Sequence, residues 1–177
     1  MNVVKKILLG VAALVVLLCL VGLALPSSYK VQRSVEIAAP MIKVYPLVYD
    51  PKAWVQWGVW NRRDPAMKVS YSGAPAGVGA QWAWISKSEG NGRMEITQAE
   101  FDKSVAYQLS IEGWDGKFNG RIDFAQVGPN VKVTWTGEGD VGLNPVSRWF
   151  VVFMDKLLGP DFEGSLANLK TVAERKE

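Results

Sequence analysis

Eight tryptophans and five tyrosines, but no histidine and a single cysteine, bound the chemistry open to this chain of 177 residues. Without histidine there is no Ser-His-Asp or Cys-His nucleophile, no imidazole metal ligand and no imidazole pH switch. Cys19 alone makes neither an internal disulfide nor a thiolate zinc or iron–sulfur site. No metal or cofactor is expected, and an enzyme built on this sequence would work with carboxylates, Lys, Arg, Tyr, Ser or an imported cofactor. Glu95 and Asp123 are acids to weigh for chemistry, but each alternates with apolar neighbours (Met94 and Ile96; Ile122 and Phe124), so both are expected to face water. No catalytic residue is therefore assigned. Arg33 shares a strand face with Val31 and Val35 and could hold a carboxylate or phosphate, or snorkel from a strand end. Tyr107 offers one hydroxyl from an apolar face. The aromatic residues admit two readings, core fillers with one N–H each to satisfy or the wall of a pocket for an apolar ligand. On the second reading the ligand-binding candidates are Trp57, Trp60, Trp82, Trp84, Tyr107, Trp135, Phe153 and Arg33. The glycine-rich loop Gly73–Gly79 lacks the Gly-Lys-Ser/Thr ending and precedes a strand, so it is not a phosphate loop.

Those residues must be positioned by a body that follows an apolar N-terminus. Residues 7–25 carry no charge, and nineteen helical residues span roughly 28 Å, close to a hydrocarbon core. The run is longer than a cleavable signal core, and its nearest small-residue pair, Gly22 and Ala24, has Pro26 two positions beyond, so a retained single-pass anchor over residues 1–26 is expected. Lys5 and Lys6 place the N-terminus in the cytoplasm and residues 27–177 on the outer side of the inner membrane, the periplasm in a Gram-negative cell. The body holds 18 basic against 17 acidic residues, too nearly neutral for phosphate-driven nucleic-acid binding. Arg62-Arg63 is at most a small basic spot.

The body opens on an alternating strand, with Tyr29, Val31, Arg33, Val35 and Ile37 on one face. Pro40–Tyr49 has helical spacing, shortened or kinked by Pro46, and Asp50-Pro51 starts a second helical turn. From Met67 to about Gly137 six short strands alternate with turns, as in an antiparallel meander. Asn144-Pro145 opens a helix, Gly159-Pro160 is expected to interrupt it, and Asp161–Arg175 continues it with the stripe Phe162, Leu166, Leu169 and Val172. An α+β fold follows: a curved sheet of about six to seven strands, two short helices after the first strand, and a long C-terminal helix closing the concave face over a cavity.

Three stretches in that order resemble the START-like, or birch-pollen-allergen (SRPBCC), superfamily and its bacterial polyketide cyclase/dehydrase-type members. They are Ser34–Pro40 (SVEIAAP), Asp50–Trp60 (DPKAWVQWGVW) and Gly159–Lys170 (GPDFEGSLANLK), within a likeness covering roughly residues 29–175. The resemblance implies a helix-grip fold around a hydrophobic cavity and binding or transport of lipids or other apolar molecules. It carries over no catalytic residue, although some members are cyclases or hydratases. The leading expectation is a membrane-anchored binding module for a lipid or other hydrophobic small molecule. A cyclase or dehydratase and a partner-binding subunit with a vestigial cavity are the alternatives.

Overall fold

The computed structural model describes residues 2–114 and 116–175. After the N-terminal helix α1 (Val3–Ala24) comes the strand β1 (Ser28–Ile37). Then follow α2 (Met41–Tyr49), a 3-10 turn (Pro51–Gln56) and α3 (Val59–Arg63). Six strands come next: β2 (Lys68–Gly73), β3 (Ala80–Ile85), β4 (Asn91–Glu100), β5 (Ser104–Ile111), β6 (Lys117–Val127) and β7 (Asn130–Asp140). The chain ends in α4 (Pro145–Val151) and α5 (Met154–Ala173). The seven strands form one antiparallel sheet in the order β1-β7-β6-β5-β4-β3-β2. Only β1 leaves sequence order, pairing with β7 from Ser28 opposite Asp140 to Ile37 opposite Val131. This is the helix-grip fold.

Alternation decides the faces. Val31, Ile37, Ile96, Val105, Ile122 and Val133 are buried on the concave side. Lys30, Gln32 and Glu36 of β1 stand exposed on the other. In β4 the alternation is broken by a bulge: Ile96 lies opposite Tyr107, Gln98 opposite Ala106, and Thr97 is the extra residue. Thr97 and Gln98 both face out, and Ala99 returns to the inner side opposite Val105. A bulge bends its strand, which helps a sheet curl around a helix.

Aromatic rings on the inner side lie over glycines. A Cβ on Gly120 would meet the ring of Tyr107, its cross-strand partner. The same holds for Gly92 beneath Trp84, Gly139 beneath Tyr29 and Gly137 beneath Phe162 of α5. A missing side chain gives each ring a flat bed, and the ring covers the backbone that glycine leaves bare.

The helix α5 passes straight through Gly159 and Pro160 rather than breaking there; the joint falls earlier, at Val152 and Phe153. Interior proline costs a helix about 3 kcal/mol. Met154, Leu158, Phe162 and Leu166, four residues apart, form an inward stripe that runs across the proline, and burying it outweighs that cost. Polar ties then fix the helix: Lys170 donates to the Glu36 carbonyl at 2.6 Å, Glu174 accepts from the Ala38 N–H at 2.6 Å, and Asn168 donates to the Trp57 carbonyl at 2.9 Å. Two sequence-derived caps are present as expected. The Asp50 carboxylate accepts from Lys52 N–H, and the Asn144 side chain accepts from Val146 and Ser147 N–H.

Candidate functional site

The two halves of α5 meet the sheet differently. The C-terminal half packs solidly, with Leu166, Leu169 and Ala173 at most 4% exposed among Ile37, Val44, Val48 and Val133. Beneath the N-terminal half the helix stands off the sheet. Two adjoining hollows lie there, of about 170 and about 180 Å³, sharing Trp60, Tyr107, Leu109, Ile111 and Leu158. The first is completed by Trp54, Trp82, Trp84, Trp135, Met67 and Met94, the second by Tyr29, Trp114, Phe118, Met154 and Phe162. Joined, they reach the lower end of the roughly 300–1,000 Å³ of small-molecule sites.

The rings pack against one another in an interlocking array. Trp135 stacks on Phe162 with centroids 4.3 Å apart and planes 2° from parallel. Trp54 meets Trp82, Tyr107 and Trp135 edge-on at 6.0, 5.4 and 5.9 Å. Most indole N–H groups in this array are satisfied inside the fold. Trp54 donates to the Val48 carbonyl, Trp57 to that of Leu47, Trp60 to Asp161, and Trp135 to the Tyr107 hydroxyl at 2.9 Å. Trp82 differs: it is 5% exposed, lines the hollow, and its Nε1 has no acceptor among the described residues. The Tyr107 hydroxyl accepts from Trp135, while its own proton is given to no described residue. Burial pushes the Tyr107 phenol up, against a smaller lowering by the Trp135 N–H, so it stays protonated at neutral pH. Burial likewise pushes Tyr29 up to about 12. The hollow thus combines mainly apolar walls with two free donors, N–H and O–H, suited to an uncharged acceptor such as a carbonyl, while Glu89 and Glu138 at its edges disfavour an anion.

Carboxylates stay at the rim. Arg63 bridges Glu89 at 2.7 Å and Asp161 at 2.5 Å, and both acids are 16% exposed. This clasp joins α3, the β3–β4 turn and α5 at the hollow's edge. Its neighbour Arg62 donates to Asn168. The Arg62-Arg63 spot is therefore largely consumed by internal partners. Glu95 and Asp123 lie on the outer face, bonded to Gln81 and Arg121. Among the described residues no group of three or more Cys, Asp or Glu could hold a metal ion.

Of the residues singled out in the sequence, Trp60, Trp82, Trp84, Tyr107 and Trp135 come together around the hollow. Three do not. Trp57 is fully buried behind Trp54, which lines the hollow instead. Phe153 is 49% exposed at the α4–α5 joint. Arg33 reaches out along α5, where it forms a forked pair with Asp155 at 2.9 and 3.0 Å and meets Glu163 at 2.5 Å. Two carboxylates already occupy the guanidinium that a ligand anion would need. Leu109, Ile111 and Leu158 carried an apolar periodicity in the sequence, whereas Met67 at the head of β2 and Trp114 in a loop had no signal that would have found them.

Residues 28–174 match the family described as polyketide cyclase/dehydrase and lipid transport. No curated protein matches the chain. Among solved structures, norcoclaurine synthase from Thalictrum flavum, in complex with dopamine and hydroxybenzaldehyde, is similar with a TM-score of 0.63. Identity is 12%, over 89% of this chain and 94% of that one. A protein from Chromobacterium violaceum aligns at 0.60 with 15% identity, over 83% and 98% of the two chains. The di-domain ARO/CYC protein of the BE-7585A biosynthetic pathway aligns at 0.61 with 17% identity, over 85% of this chain and 52% of that one. At these identities the likeness is one of fold, and Ara h 8.0201 is among the neighbours at a TM-score of 0.57.

Proposed function

This chain belongs to the polyketide cyclase/dehydrase and lipid transport family, and from that membership and the hollow beneath α5 we propose that it binds one lipid or other hydrophobic small molecule there while α1 holds it on a membrane. The observation that carries the reading is the unpaired, buried Trp82 N–H in a mainly apolar chamber, whose other polar groups are the Tyr107 hydroxyl and, at the rim, Glu89. A buried donor without an acceptor costs about 1–3 kcal/mol, which a ligand acceptor would return. Burial of apolar ligand surface at roughly 25 cal/mol per Å² supplies the main driving force. A cyclase or dehydratase would ask for two ionisable groups converging on the ligand. The ionisable side chains lining the hollow are Tyr29, Tyr107, Glu89 and Glu138; both tyrosines stay protonated, and the two acids are engaged by Arg63 and Lys30. Binding is the better supported role.

The helix α1 is 22 residues long with a mean hydropathy of 3.1, long and apolar enough to cross a membrane. With Lys5 and Lys6 at its start, the positive-inside rule puts the binding domain on the outer face of the inner membrane.

Native mass spectrometry of the full chain, released from detergent micelles, tests the binding. One apolar molecule per chain is expected in the wild type, and its loss is expected in Leu158→Trp, whose larger ring fills the hollow. An empty wild-type chain, or an equally loaded variant, overturns the proposal.

A further inference from the structure

The short helix α4 lies against the last turns of α1. Gly22 is the buried residue of α1, and a Cβ there would run into the backbone of Pro145. Arg148 donates to the carbonyls of Leu23, Leu25 and Gly142, taking up two carbonyls at the end of α1. Trp149 donates to the Leu18 carbonyl at 3.2 Å. Leu18 lies about 10 Å of helix before Leu25, the end of the apolar run. A hydrocarbon core is about 30 Å thick, so that contact lies well inside one leaflet when α1 spans.

The rest of α4 and its joint to α5 is apolar and uncovered. Val146, Phe150, Val152, Phe153 and Leu157 are 49–61% exposed. Three polar side chains of this region are matched inside the protein, and a fourth can leave it. Arg148 and Trp149 are bonded to carbonyls, Asp155 is paired with Arg33, and the Lys156 ammonium sits on a stem long enough to reach the headgroups. That is the composition of a surface seated in lipid, not in water.

An apolar path also starts there. A groove lined by Val15, Leu18, Cys19, Val146, Trp149 and Phe150 runs between α1 and α4. Phe150 meets Trp114 edge-on at 6.2 Å, and Trp114 lines the hollow beneath α5.

We propose that α4 and the α4–α5 joint are immersed in the outer leaflet of the bilayer that α1 crosses, and that the ligand is a membrane lipid whose acyl chain enters past Phe150 and Trp114. The inference rests on α1 spanning a membrane, as proposed above.

The test uses the full chain in phosphatidylcholine/phosphatidylglycerol nanodiscs, in a Cys19→Ser background. Spin labels are placed singly through Phe153→Cys and Leu157→Cys, with Leu14→Cys in α1 and Lys103→Cys on the far β4–β5 turn as references. Labels at 153 and 157 are expected to relax with oxygen and to be shielded from a water-soluble nickel chelate, as at 14 and opposite to 103. Labels at 153 and 157 that follow 103 while 14 follows lipid overturn the inference and leave the anchor standing. A water-exposed label at 14 overturns the anchor and the inference together. For entry, the exposed pair Phe153→Asp/Leu157→Asp should lose bound lipid in native mass spectrometry with an unchanged melting temperature. Retention of wild-type loading overturns the route, while an empty wild type is a failure of the binding proposal itself.

Discussion

Trp82 and Tyr107 face the same chamber, yet their polar atoms have opposite relations to the fold. The Tyr107 hydroxyl holds up the Trp135 N–H, so Tyr107→Phe should strand a buried donor and lower stability by about 1–3 kcal/mol in thermal unfolding. The Trp82 N–H holds nothing within the fold, although its ring packs edge-on against Trp54 and Trp84. Trp82→Phe relieves an unmet donor but also removes buried ring volume, so it should lower the melting temperature less than Tyr107→Phe does, while titration with an acceptor-bearing apolar ligand shows roughly tenfold weaker binding, the value of one net hydrogen bond. A fall in stability without a change in affinity would make Trp82 a plain core residue. Strand parity in the sequence already set Tyr107 with Leu109 and Ile111 on an inner face. It had nothing to say about which indole lacked a partner, because the Val48, Leu47 and Tyr107 acceptors are brought in by folding.

The elements show where pattern reading succeeds and where it stops. Alternation located the strands because one face of this sheet is buried and a one-residue slip would expose it. The β4 bulge was invisible, since Thr97-Gln98 reads as ordinary polar sequence. The glycines under aromatic rings were equally hidden, since register alone pairs Tyr107 with Gly120. Gly120→Val should drive side-chain atoms into the Tyr107 ring and cost about 1–3 kcal/mol by overpacking, seen as a lower melting temperature and weaker ligand binding together. The run through Pro160 has the opposite lesson: a local breaker loses to an apolar stripe that continues on both sides of it.

Across the whole molecule, Arg33 of the first strand is tied to Asp155 and Glu163 of the last helix. The hydrogen bond from Arg33 holds the Asp155 carboxyl below its ordinary range, against a weaker opposing push from desolvation. A depressed carboxylate stabilises the fold above its unfolded-state value near 4 and loses that contribution as pH falls through the lower folded value. Asp155 is 63% exposed on the side of α5 that meets Arg33, turned away from Phe153 and Leu157, so the effect is modest and screened by salt. Asp155→Asn should therefore melt slightly below wild type at neutral pH and low salt, with the gap closing in acid and in high salt. A gap that persists at pH 2 would assign it to packing and not to the ion pair.

By itself the sequence determined the apolar span, the antiparallel meander, the inward faces and the long covering helix, and it excluded histidine and disulfide chemistry. These are periodicity and composition, properties of neighbours along the chain. Only the tertiary structure decided that Trp54 and not Trp57 walls the hollow, that Arg33 is spent on α5, and that α4 lies along α1. Each of those depends on contacts between residues far apart in sequence, where burial and hydrogen-bond satisfaction are settled by what the fold brings alongside.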